Sequence, residues 1–222
     1  MSIASMILGE SGTGKSASLR NLLPSQTLLI QAVRKPLPFK AKGWATYDKK
    51  TGAGSVITTD NPEHIEGAMR RIERPVVVLD DFQYVLANEF MRRSDERGFD
   101  KFTEIGRHAW NILCAASDLA SDRRVYILAH TNSDDGGRTR MKTIGKMLDE
   151  KITPEGMFTI VLRTAVRDGA YVFSTQNNGS DTTKSPMGMF TDQFIDNDLA
   201  AVDAAICDYY DLPATTSQLK AA

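Results

Sequence analysis

Cysteine is nearly absent from this chain, with two residues, Cys114 and Cys207, among 222. Both sit in apolar, helix-patterned surroundings without the paired spacing of a metal site. They exclude a disulfide framework and read as core residues of a protein kept in a reducing cytosol. An excess of one charge is missing too: 27 basic residues face 28 acidic ones, for a net charge of −1. That excludes a uniformly basic nucleic-acid coat but leaves room for a local basic groove. No apolar run approaches the roughly 20 residues of a membrane helix. No signal peptide is expected, because a short strand runs from the N-terminus straight into a glycine-rich loop. Internal repeats and long linkers are lacking as well. What remains is the composition of a soluble globular protein, 41% hydrophobic and 25% charged. The length suits one α/β domain with a sizeable core, read as residues 1–212, followed by a flexible tail over 213–222.

Against these absences one stretch stands out. Gly9-Glu10-Ser11-Gly12-Thr13-Gly14-Lys15-Ser16 matches G-x-x-x-x-G-K-[ST], the phosphate-binding loop of nucleoside triphosphate-binding proteins. Its four fixed positions co-occur by chance in on the order of one chain in a hundred of this length. The flanks narrow that further, since Ser5–Leu8 reads as a buried strand and Ala17–Leu23 as a helix. Glycines let the backbone wrap a polyphosphate, and the loop amides with the helix start at Ala17 face the anion. In this reading Lys15 reaches the β- and γ-phosphates of ATP and the Ser16 hydroxyl binds Mg²⁺.

The rest of the chain alternates strands with helices. Strands are expected at 3–8, 27–33, 75–81 and 124–130, and helices after the loop and over 62–74, 82–92, 99–121, 143–152 and 198–210. Residues 35–40 carry two prolines and must be extended. A small hairpin is expected from 44–47 and 55–59, and a second from 158–166 and 171–176. The pattern predicts an α/β fold: a mostly parallel sheet flanked by helices, with a C-terminal antiparallel hairpin. Ligands bind beyond the C-terminal strand ends, where strands one, three and four should converge.

Asp80 closes the third strand after four apolar residues, the pattern of a carboxylate that holds Mg²⁺ opposite Ser16. Asp81 either orients or deprotonates the attacking water, or caps the helix over 82–92. His130 ends the fourth strand, either placed to touch the γ-phosphate or its water and to report to the following loop, or a strand-end histidine satisfied by the backbone. That loop carries Arg138, Arg140 and Lys142 in alternation and should be mobile. It is either a contact for a nucleic-acid backbone or a solvated loop, as is the basic group Arg92, Arg93 and Arg97, with Phe90 and Phe99 as possible stacking partners. Glu89 and Glu104 default to a solvated helix face. Lys184, ahead of Arg163 and Arg167, is the candidate cation for the γ-phosphate of a neighbouring subunit.

In order and spacing, Gly9–Ser16, Val76–Asp81, a strand ending at His130, a basic loop and a hairpin resemble the RecA-like P-loop NTPase core. Residues 35–40, 80–84, 88–93 and 184–190 look like the bacteriophage AAA-type nucleotide-binding proteins, a group that overlaps the RecA-core-only phage single-strand annealing proteins. The likeness runs to about residue 205. It implies a cytoplasmic ATPase with ATP and Mg²⁺ as ligands, single-stranded DNA as partner, annealing or strand exchange as the task, a ring or filament of like subunits, and a phage single-strand-binding protein nearby. One departure matters: the family carries a catalytic Glu just after the second strand, where this chain has Gln31-Ala32-Val33-Arg34-Lys35. Either Asp81 or another acid takes the role, or hydrolysis is slow. Two rival readings stay open, an ATP-switched scaffold or loader for a replication partner and a P-loop kinase acting on a small molecule.

Overall fold

The computed structural model describes residues 1–133, 136–144 and 152–214. Its frame is one continuous sheet. Strands β1 (Ile3–Gly9), β2 (Thr27–Gln31), β3 (Val56–Thr58), β4 (Val76–Asp80), β5 (Arg124–Ser133) and β7 (Ile160–Arg167) run parallel in the order β3-β2-β4-β5-β1-β7. β8 (Ala170–Ser174) returns antiparallel to β7, and β9 (Phe194–Asp196) is antiparallel to β8. β6 (Thr139–Met141) pairs antiparallel with the far end of β5. The helices are α1 (Pro62–Arg71), α2 (Phe82–Arg92), α3 (Asp100–Ser117) and α4 (Leu199–Tyr209). Among the described residues no helix is long and apolar enough to cross a membrane.

The central strands are apolar on both faces because both faces are covered. Successive residues alternate between two cores. Met6, Leu8, Leu28, Ile30, Val77, Leu79, Val125 and Ile127 pack with α1, α2 and α3. Ile7, Leu29, Val78, Tyr126 and Leu128 face the other way, onto Leu19, Leu22 and α4. A buried ion network ties α4 to that second face. Asp203 accepts from Arg124 through both carboxylate oxygens at 3.0 Å and from the Tyr126 hydroxyl at 2.7 Å. On the first face the Arg123 guanidinium donates to the carbonyls of Met69, Ile72 and Arg74, closing the C-terminal end of α1.

Several expectations need correction. The helix after the glycine-rich loop is a tight 3-10 turn over Ser16–Asn21. Ser18 bonds back to the Lys15 carbonyl at 2.6 Å, and Pro24 holds Leu23 extended, so a longer helix has no room to form. The hairpin expected across 44–59 is not one. Val56–Thr58 instead lies parallel to β2 as the sheet edge, with Leu29 opposite Val56, and meets the earlier segment in a parallel bridge, Thr46 to Val56, with backbone hydrogen bonds at Ala45, Tyr47 and Asp48. Joining β2 half-buries Val56 and Ile57, one against each core, which a free two-stranded hairpin could not do. β5 does not stop at His130 but continues to Ser133 and turns back into β6, so the expected mobile loop is largely a β-ribbon. The expected helix over 143–152 and the tail lie mostly outside the described residues.

Candidate functional site

The topology brings the predicted residues together. The chain leaves β1 for β2 on one side, while β7 lies on the other, so the connections diverge around the C-terminal end of β1. Gly9, the last residue of β1, is level with His130 in β5. On the far side of β5, β4 ends at Asp80. The Gly9–Ser16 loop spans these ends and lines a cavity of about 500 Å³, together with Lys15, Ser16, Lys35, Asp81, His130 and Tyr171.

Two of the loop's glycines are closely enclosed. A Cβ on Gly9 would fall 1.9 Å from the Thr164 hydroxyl of β7, so the loop can leave β1 only without a side chain. Gly14 has φ +98°, and its Cα faces the Tyr171 ring and the Asn197 amide. Thr13 shares a 2.6 Å hydrogen bond with Thr164, which pins the loop to β7. Arg20, in the turn that follows, donates to the Asn197 carbonyl.

Lys15 is folded under the loop. Its Nζ donates to the carbonyls of Gly9 at 2.7 Å and Glu10 at 2.8 Å, and the residue is 6% exposed. Burial pulls its pKa down to about 8, although Asp80 and Asp81 pull the other way. It is therefore an ammonium short of anionic partners.

Ser16 donates to both oxygens of Asp80, at 2.9 and 3.1 Å. Asp80 is fully buried, and burial with the neighbouring Asp81 charge pushes its pKa up. Lys35, from the segment after β2, sits 3.8 Å from Asp80 and forms an ion pair with Asp81. Asp81 has the left-handed backbone φ 64°, ψ 43°, and its side chain makes no capping bond to α2. Instead it faces Lys35 and His130, whose Nε2 lies 3.7 Å away. Burial alone would raise its pKa, but the neighbouring His130 ring and Lys35 ammonium outweigh it and hold the carboxyl below its usual range. Of the two readings for Asp81, the helix cap is thus not supported. As a proton acceptor it is a weak one, since its charge is already stabilised.

The donor set fits Mg²⁺ of one kind only. Among the described residues no group of three or more His, Cys, Asp or Glu could hold a metal alone. Mg²⁺ is commonly bound through one or two carboxylates, with waters and substrate phosphates completing its shell. A buried Asp80 whose side chain accepts from the Ser16 hydroxyl and faces the Lys35 ammonium is compatible with that chemistry.

The remaining predicted residues divide. Arg92 is paired with Asp60 at 2.6 Å. Arg93 is held by Glu89, Glu96 and Glu104 at 2.7 to 3.1 Å, so its charge is balanced within the chain. Glu89 is not solvated but buried, with His108 and Arg93 upon it. Arg138, Arg140 and Lys142 are exposed on and beside the β5–β6 ribbon, with Arg140 opposite Asn132 and the Lys142 amide donating to the His130 carbonyl. Arg163 pairs with the buried Asp181, and Arg167 lies over the Phe194 ring. Lys184 is exposed, with its backbone bridged to Val161 below the loop level.

Sequence reading missed Lys35, Thr164, Tyr171 and Asn197. The signal for Lys35 was there: once β2 lies beside β4, a basic residue four positions past its end, followed by Pro36, has little choice but to approach the end of β4. No protein-family model matches this chain, and no curated protein matches it either.

Proposed function

We propose that this chain is a RecA-like P-loop ATPase whose nucleotide state controls binding of single-stranded DNA. The observation that carries the reading is the Lys15–Ser16–Asp80 arrangement at the end of β1. A buried ammonium sits beneath a glycine loop, and the adjacent hydroxyl is bonded to a buried carboxylate. In this reading the loop amides and Lys15 hold the triphosphate of ATP. Ser16 and Asp80 hold Mg²⁺, which supplies neutralisation of phosphate charge when bound. The exposed Tyr171 ring beside Gly14 offers a face on which a base can stack.

Coupling to DNA follows from the continuity of β5. The strand passes without a break from the core, through His130 at the cavity, into the ribbon that carries Arg140 and ends beside Lys142. A shift of His130 toward a γ-phosphate would move the ribbon with it. Three cations on an exposed ribbon suit a phosphate backbone. A host cytoplasm, a ring or filament with Lys184 acting on a neighbour's phosphate, and a phage single-strand-binding protein as companion belong to the same reading.

A second reading is favoured by a specific feature. Asp81 is committed to Lys35 and His130, and Gln31 ends β2 where the resembling family carries a carboxylate close by. Both favour slow turnover, with ATP acting as a switch for a scaffold or loader. ATP turnover measured with and without single-stranded DNA, in the unaltered chain and in Lys15→Ala, separates the two.

A further inference from the structure

Lys35 is the residue in the cavity that the proposed function leaves without a role, and its position is specific. It follows β2, whose Gln31 side chain donates to the Lys35 carbonyl at 3.4 Å. Pro36 and Pro38 line the same cavity and limit the directions this segment can take. The ammonium rests between two carboxylates, one of them Asp80, whose oxygens already accept from Ser16. That is where Mg²⁺ would have to come.

The charges explain why it sits there. Asp80 and Asp81 carry two negative charges, and Lys15 and Lys35 two positive ones, in a largely buried site. Bare Mg²⁺ would add two positive charges next to two ammonium groups and meet no anion in return. A nucleoside triphosphate brings about four negative charges, and Asp80 can then exchange Lys35 for the metal. The Lys35 side chain is 36% exposed and lines the open cavity, so another position for its ammonium does not require unpacking the core. A metal held by Ser16 and Asp80 in such sites bridges the β- and γ-phosphates, so the terminal phosphate is the anion that would come nearest to an ammonium leaving Asp80.

Resting on the nucleotide reading above, we propose that Lys35 counts phosphates. It neutralises Asp80 and Asp81 in the free protein and transfers to the terminal phosphate when a nucleoside triphosphate and Mg²⁺ enter together. A diphosphate ends short of it and leaves it on Asp81. Lys35 thereby excludes bare metal, distinguishes tri- from diphosphate in cis, and couples the third phosphate to the proline-bearing segment behind it.

The test is calorimetric binding of Mg·ATP and Mg·ADP, with Mn²⁺ binding in the absence of nucleotide followed by electron paramagnetic resonance. Lys35→Met is expected to lose roughly ten- to a hundredfold in ATP affinity, the worth of one hydrogen bond to a charged group, with ADP affinity within about twofold. It should also take up bare Mn²⁺ about tenfold more tightly or better, because a competing cation is gone. Lys35→Arg should retain most of the ATP preference, which excludes a folding defect as the cause. If Lys35→Met keeps the unaltered preference for ATP, or loses ATP and ADP equally, the inference is overturned. If the unaltered chain binds neither nucleotide, the nucleotide reading itself fails.

Discussion

Lys15 carries an unusual burden for a single side chain. Its ammonium is buried against two carbonyls, and burial holds its pKa at about 8 rather than the ordinary 10.5. On the proposed function, a triphosphate would supply the missing anion and restore the proton. Nucleotide binding is therefore expected to take up a fraction of a proton near pH 8, and affinity should fall as pH rises through that value. Calorimetry in two buffers of different ionisation heat checks this, and Lys15→Met should abolish the uptake. The sign for stability is opposite. Between pH 8 and 10.5 the unfolded chain binds more protons at this residue than the folded one, so the free protein gains stability across that window. The burial penalty is fully present below it. At the same scale, Gly9, Lys15, Ser16 and Asp80 were all legible in the sequence because their chemistry is written in spacing. Lys35 was not, because its role depends on which strand lies next to β2.

At the scale of elements, the buried Arg124–Asp203–Tyr126 network fastens α4 to β5. Asp203→Ala leaves a guanidinium in a dry interior with no counter-charge. A loss of about 3–5 kcal/mol is expected in urea unfolding, because removing one partner of a buried pair strands the other. The β5–β6 ribbon carries a second expectation. In Arg138→Ala/Arg140→Ala, single-strand affinity should fall and the salt dependence should become shallower by about one to two counterions, while nucleotide binding is unchanged. Fluorescence anisotropy across a salt series reads both. Unchanged affinity and slope would remove the ribbon from the DNA contact. Elements whose apolar period is their own were readable in advance: α1, α2, α3 and the four central strands. β6 and β9, three residues each, exist only because a neighbouring strand offers an edge, and so short a run shows no period of its own; β3 lies within the strand expected over 55–59, but its partner is β2. The 3-10 turn after the loop differs from the expected helix because the stretch Ala17–Leu23 matches a helix until Pro24 and the Ser18 back-bond are weighed.

For the whole molecule, the sheet order places the loop, Asp80 and His130 at one point, and β5 links that point to an exposed basic surface. The broad architecture followed from alternation of strands and helices, since a buried parallel sheet demands apolar runs with helices between them. The function does not follow from architecture, and fold alone never fixes it. The direct measurement is phosphate release from ATP, with Mg²⁺, in the presence and absence of single-stranded DNA. Slow release alone, accelerated by DNA and abolished in Lys15→Ala, is the expected result. Release that ignores DNA, or transfer of the γ-phosphate to a nucleoside instead of water, would contradict a DNA-directed ATPase.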